Sequence, residues 1–230
     1  MSRIGKKENR KFYISVEGEN CEKQYFEHLQ KLIHHCPESR YNVDFVIKAK
    51  VTPRQMIKRY GSMPIDKDNQ GKSIPYVHVA DIEDYYDLGF RKHFFDLLDE
   101  MKVIKKESGK AYLMGYSNLT FELWMLLHVD DMNEAVTDRD RYLEQINQYF
   151  HKSYSRLYDY KNHDEFNKIL KDFVNLDSIR KAVIGAKKIR KWNSDNNKEK
   201  CEYSGFSFYK DNPDTTVDEV IKKIFEVCGI

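Results

Sequence analysis

The chain has 230 residues, 40% hydrophobic and 33% charged, with 16 Tyr and 13 Phe, apolar area enough for one large globular domain or one domain with an appendage. A net charge of +2 excludes bulk electrostatic attraction as the basis of nucleic-acid binding, so any such contact must come from a local patch. Four isolated cysteines (Cys21, Cys36, Cys201, Cys228), a polar basic start without an apolar signal core, and no run near the ~20 apolar residues of a membrane span point to a soluble protein in a reducing cytoplasm.

In chain order, residues 1–10 read as a basic flexible arm. Lys11–Val16 is a β-branched and aromatic strand. Glu17 to Asn20 is a turn in which Gly18 lets the backbone pass close to a ligand and Asn20 caps the next helix. That helix, about Cys21 to Ile33, carries an apolar stripe of Tyr25, Phe26, Leu29, Leu32 and Ile33. Asn42–Ala49 is a second strand, and Thr52-Pro53 starts a helix running to about Tyr60. A polar loop, 61–72, leads to a third strand at Tyr76–Ala80, a helix over Leu88–Met101, and a fourth strand at Ala111–Tyr116 ending at Ser117-Asn118. The alternation predicts an α/β fold with a mainly parallel, four-stranded sheet, right-handed crossovers and flanking helices. Thr120–Val129 reads as a strongly apolar helix, and polar helices follow at about 139–152, 164–174, 178–192 and 217–227. Residues 193–200 read as an exposed or disordered polar loop. The expected organisation is an α/β domain over 11–129 with a helical C-terminal region, 130–230, packed on it.

The chemistry concentrates at strand ends. Parallel, adjacent first and third strands would bring Glu17, Asp81 and Glu83 to the carboxyl edge of the sheet, where open α/β sheets bind ligands. Alternation would put Asp81 and Glu83 on one side of the chain. Crowded carboxylates repel unless a hard cation sits among them, so the cluster suggests a Mg²⁺ or Mn²⁺ site acting on phosphate; acids gathering at strand ends because loops are polar is the plainer alternative. Glu122, in an apolar helix, needs a partner, either a second metal or the backbone N–H groups of its own helix start. Ser117 and Asn118 suit helix caps or phosphate contacts; Glu22 suits a solvated face or a supporting role at the site. His128 reads as a satisfied core histidine, and His34-His35-Cys36 point in different directions. Lys187, Lys188, Arg190, Lys191 and Trp192 form a basic stretch with a terminal aromatic, which suits nucleic acid or a solvated helix face. Tyr149, Tyr154, Tyr158 and Tyr160 suit packing or base stacking.

Three stretches carry a family resemblance: Val16-Glu17-Gly18-Glu19 leading into a helix, Asp81-Ile82-Glu83-Asp84 after a later strand, and the run from Ser117-Asn118 through Phe121-Glu122-Leu123-Trp124 to His128. With Asn212-Pro213-Asp214-Thr215-Thr216-Val217, the chain from Phe12 to about Ile224 resembles the RloB-like proteins, bacterial TOPRIM-domain proteins found beside restriction loci and in phage-defence gene pairs with an ABC-type ATPase. The resemblance implies a TOPRIM-like, Rossmann-like fold with Glu17, Asp81 and Glu83 as its metal site. Glu83 stands where the family's Asp-x-Asp ends in aspartate, and Asp84 could substitute for it. It implies a Mg²⁺- or Mn²⁺-dependent nuclease of the defence or abortive-infection type, acting on DNA or RNA, tRNA included, beside an ABC-type ATPase partner. Two rival readings are a non-catalytic nucleic-acid- or partner-binding effector with an acidic metal pocket, and phosphotransfer through Asp81.

Overall fold

Apolar runs uninterrupted by polar alternation make the central strands, as expected for strands covered on both faces. In the computed structural model, which describes residues 7–131, 139–211 and 213–230, β1 (Asn9–Val16) is buried from Phe12 onward. It is followed by α1 (Cys21–His34), β2 (Asn42–Ala49), α2 (Pro53–Tyr60), β3 (Tyr76–Asp81), α3 (Leu88–Ser108), β4 (Tyr112–Asn118) and α4 (Glu122–Leu126). Then come α5 (Arg141–Tyr149), α6 (Leu157–Tyr160), α7 (His163–Phe173), α8 (Leu176–Asp195), a hairpin of β5 (Lys200–Tyr203) and β6 (Phe206–Tyr209), β7 (Asp214–Thr215) and α9 (Val217–Cys228).

The sheet has five strands in the order β2-β1-β3-β4-β7, not four. The first four are parallel, as expected, and β7 adds antiparallel to the end of β4, pairing Ser117 with Thr215 and Asn118 with Asp214. The chain steps outward from β1 to β2, then returns past β1 to β3. The order therefore reverses between β1 and β3, and a crevice opens at their carboxyl ends.

Local signals explain most boundaries. Thr52 accepts from Gln55 N while Gln55 bonds back, a capping box that starts α2 with Pro53 in its first turn. Asp87 caps α3 through Gly89 N and Phe90 N, and Gly109 ends it in the left-handed conformation. α3 runs to Ser108, past the expected Met101, because its buried stripe continues through Ile104 to that glycine. Asn20 does not cap α1; its amide donates to Lys161 O at 3.2 Å.

The apolar stretch 120–129 holds only the short α4. α8 runs to Asp195, into the expected polar loop at 193–200, and β5 begins at its last residue, so only 196–199 remain a mainly exposed connection; Asn193 is buried and donates to Pro213 O at 2.9 Å. The region 130–230 is thus not wholly helical: its described residues supply three strands, one of them to the main sheet. One core joins β1, β2, α1 and α4 with α5, α7, α8 and α9, so this region shares the interior of the α/β half. On the other face, Phe94 of α3 and Tyr116 of β4 pack with Phe206 and Phe208 of the hairpin. Of the expected N-terminal arm, residues 1–6 lie outside the described residues, and the strand already begins at Asn9. Among the described residues no helix is long and apolar enough to cross a membrane.

Candidate active site

Glu17 and Asp81 meet because β1 and β3 are neighbours in register. Val16 pairs with Val79, and Glu17 N extends the ladder by donating to Val79 O at 3.0 Å. One carboxylate oxygen of Glu17, Oε2, accepts from Asp81 N at 3.2 Å. The other, Oε1, lies 2.8 Å from His93 Nε2 on α3. Both oxygens are therefore oriented. The His93 contact is not legible in the sequence, because a histidine in a long amphipathic helix carries no signal of which strand end it will face.

Asp81 and Glu83 do share a side, but not by strand alternation. β3 ends at Asp81, and Glu83 sits in the left-handed region with φ 51° while its N–H donates to Leu119 O at 2.9 Å. Few non-glycine residues adopt that conformation. The turn swings the Glu83 carboxylate back toward Glu17, and Arg139 pairs with it at 3.3 Å. Asp84 faces elsewhere: it is exposed, and its Oδ1 accepts from Tyr86 N at 2.8 Å, closing a local turn.

The strand ends open on a cavity of about 530 Å³ whose walls include Glu17, Glu19, Glu22, Asp81, Glu83 and Glu122, with Lys161, Tyr158 and His163 facing them. Glu122 is 1% exposed, and Lys161 Nζ stands 3.0 Å from its Oε1. The two form a close ion pair. Glu122 Oε1 and Glu83 Oε2 are answered by the charges of Lys161 and Arg139, whereas Asp81 Oδ1 and Glu122 Oε2 are shut from solvent without a hydrogen-bond partner. Such groups are costly unless something polar or charged meets them.

Burial, then the neighbouring Glu22 and Glu122 charges, hold the Asp81 carboxyl well above the usual carboxylate range. Burial pushes Glu22 up to about 7 against a backbone hydrogen bond that favours its charge. Burial also raises Glu83, opposed by Arg139. Burial works to lower Lys161, but the Glu122 and Asp81 charges outweigh it, and its ammonium is held above the ordinary range. The site behaves as an over-full set of carboxylates that favours protons or cations.

Gly18 has a local explanation. A Cβ there would run into the Glu22 carboxylate, so the close approach expected of a ligand is made by Glu22 itself. Ser117 and Asn118 neither cap α4 nor face the cavity. Ser117 Oγ lies 3.1 Å from Thr215 Oγ1, and Asn118 Nδ2 donates to Lys210 O at 2.8 Å and Tyr209 O at 3.2 Å. Thr215 and Thr216 return bonds to Tyr116 O and Met114 O at 2.8 and 2.9 Å. Ser117-Asn118 and Thr215-Thr216 therefore form a clasp joining β4 to the C-terminal segment, while Glu122 of the first motif lines the cavity; Asn212 of the second lies outside the described residues.

His128 is buried with Nδ1 3.0 Å from Trp124 O and Nε2 3.2 Å from Tyr25 OH, a satisfied core histidine. His34 and His35 point apart, to Val43 O and Lys31 O. Among the described residues no three His, Cys, Asp or Glu side chains close on a point as a finished metal cage.

The basic stretch on α8 divides. Arg190 is turned inward, where NH1 and NH2 each lie 2.7 Å from the buried Asp218 carboxylate. Lys188 pairs with Asp131 at 2.8 Å and Lys191 with Asp195 at 2.7 Å. Lys187 and Trp192 remain toward solvent, Trp192 with Lys198 Nζ 5.6 Å from its ring. Arg190 is thus a structural cation, and the surface stretch is reduced to Lys187, Lys188, Lys191 and Trp192.

Comparison with known proteins found no match among curated proteins and none among solved structures. The family model described as RloB-like protein matches residues 12–224, nearly the whole chain and every element that builds the cavity. The chain belongs to the RloB-like protein family.

Proposed function

We propose that this chain is a divalent-metal-dependent nuclease of TOPRIM type that hydrolyses phosphodiester bonds in nucleic acid. The observation that carries the reading is the convergence of Glu17, Asp81, Glu83 and Glu122 on one cavity at the switch between β1 and β3, with Asp81 Oδ1 and Glu122 Oε2 shut from solvent and left without a hydrogen-bond partner. Oxygen-only donors that repel one another fit Mg²⁺ or Mn²⁺. Glu17, Asp81 and Glu83 would hold the ion, with Glu122 placed for a second. Bound there, it would polarise the phosphodiester and lower the pKa of an attacking water.

The chain's own groups divide the remaining work. Asp81 N–H and His93 fix the Glu17 carboxylate, so its orientation does not depend on the substrate. Glu22, shifted to about 7, can take up or release a proton near neutral pH. Lys161 keeps a positive charge in the cavity and can donate to a phosphate oxygen. The test is incubation with Mn²⁺ and labelled DNA and RNA, tRNA included. Glu17→Gln and Asp81→Asn should each abolish cleavage with thermal stability close to wild type; full activity in both variants refutes the assignment.

A second reading, a non-catalytic effector whose acidic pocket binds metal or a partner, is favoured by Lys161, which already neutralises part of the site. A protein that binds nucleic acid but cuts none with any divalent ion would favour it. A cytoplasmic role in bacterial anti-phage defence beside an ABC-type ATPase rests on family membership; co-purification with the neighbouring ATPase tests the partnership.

A further inference from the structure

Four tyrosines stand close together in the sequence around α6, and the structure separates one of them. Tyr160 is fully buried, Tyr154 is half-buried and donates to Glu165 at 3.0 Å, and Tyr149 packs against the core. Tyr158 is 76% exposed, and its ring lines the same cavity as Asp81 and Glu122. α6 is pinned by Leu157 and Tyr160, which are buried, so Tyr158 is presented outward by a fixed scaffold. Arg156 sits beside it, its guanidinium 5.9 Å from the ring centroid.

The electrostatics of the cavity say what kind of contact this ring makes. Six carboxylates line the walls, Glu17, Glu19, Glu22, Asp81, Glu83 and Glu122, against Lys161. Such a surface repels phosphate except at a bound cation, so it cannot grip a nucleic acid along its backbone. A nucleobase carries no net charge and offers a flat face that any aromatic ring can meet. In a duplex both faces of each internal base are already covered by its neighbours, so only an unpaired base can use Tyr158. A volume of about 530 Å³ is that of a pocket for one small ligand rather than a groove for a double helix.

We propose that Tyr158 is the base platform of this site, and that its substrate class is unpaired nucleic acid: a single strand, a loop or a frayed end. One base stacks on the ring while the adjoining phosphate would meet a divalent cation held by the carboxylates. This rests on the nuclease reading for the phosphate but not for the base, and the two are separable by experiment.

Binding is measured by fluorescence anisotropy with the full chain in Ca²⁺, using labelled oligo-dT, oligo-U and a blunt DNA duplex. The single strands should bind at least about tenfold more tightly than the duplex. Tyr158→Ala should weaken single-strand binding by about 5- to 150-fold, the worth of one base–aromatic stack. Tyr158→Phe and Tyr158→Trp should stay within about twofold of wild type, because stacking needs the ring and not the hydroxyl. The emission that Tyr158→Trp adds over wild type, which carries Trp124 and Trp192, should be quenched by oligo-dT and not by an abasic strand. Equal affinity for duplex and single strand, or Tyr158→Ala binding as wild type does, overturns the platform and leaves the nuclease reading standing if Asp81→Asn still abolishes cleavage. Tyr158-dependent binding without any cleavage keeps the platform and removes the nuclease. No binding of any strand removes both.

Discussion

Replacing Lys161 with methionine tests the electrostatic account of the cavity most directly. Glu122 is 1% exposed, and the Lys161 side chain beside it, at 3.0 Å, is 33% exposed. Breaking a fully buried pair by deleting one partner costs about 3–5 kcal/mol; with Lys161 one-third in solvent the expected cost is about 2–3 kcal/mol. For a chain of this size each kcal/mol moves the melting temperature by about 2–4 °C. Lys161→Met should therefore lower the melting temperature by about 4–12 °C in EDTA at neutral pH. Glu122→Gln removes the charge that Lys161 answers, so the double variant should lose less than the sum of the singles, by about 1 kcal/mol or more. Mn²⁺ should raise the melting temperature of Lys161→Met more than that of wild type, because an ion can take over the neutralising role of the ammonium. The assay is calorimetric or fluorescence-monitored unfolding of the four proteins of the cycle, with and without Mn²⁺. A Lys161→Met protein melting within about 1 °C of wild type, or strict additivity across the cycle, refutes the claim that this pair is coupled.

Three further outcomes are expected. Burial raises both Glu22 and Asp214 to about 7, so the folded chain holds protons that the unfolded chain has released. Without divalent ions, stability should be fully present below the ordinary carboxylate range and fall as pH rises through 7. Melting scans from pH 5 to 8 should show the decline, and Glu22→Gln should make it shallower while the share of Asp214 remains; an unchanged slope in that variant would contradict the assignment. Arg190→Ala leaves Asp218 with Lys222 alone and should cost about 2–4 kcal/mol, whereas Lys187→Ala should stay within about 0.5 kcal/mol of wild type. If the surface of α8 touches nucleic acid, Lys187→Ala with Lys191→Ala lowers affinity without moving the melting temperature, and equal melting of Arg190→Ala and wild type would remove its structural role.

The parallel half of the fold was legible because its signals are local. β-branched runs bounded by turn residues gave the four parallel strands, β2 to the residue, and Thr52-Pro53 gave the start of α2. The meeting of Glu17 and Asp81 followed from two strands ending alike. Ser117 and Asn118 are legible as distinctive, but their purpose, a tie to Thr215 and to the 209–210 backbone rather than a helix cap or a phosphate contact, is not. Their partners lie about a hundred residues away, and polar side chains that tie a strand to a distant segment look the same, in a string of letters, as side chains that cap a helix. The same ambiguity hid the inward turn of Arg190: helical periodicity places it among lysines, and only the position of Asp218 on α9 selects it for the interior.

By itself the order of residues determined the secondary structure of the α/β half, the parallel sense of its strands and the carboxylates at its rim, because each follows from propensity and patterning within a few residues. Tertiary structure decided which cation answers Glu122, which histidine steadies Glu17, and which tyrosine of four stands at the cavity mouth. Those choices depend on where separately encoded elements dock, and docking is set by the shape of a shared core, which no single stretch of the chain contains.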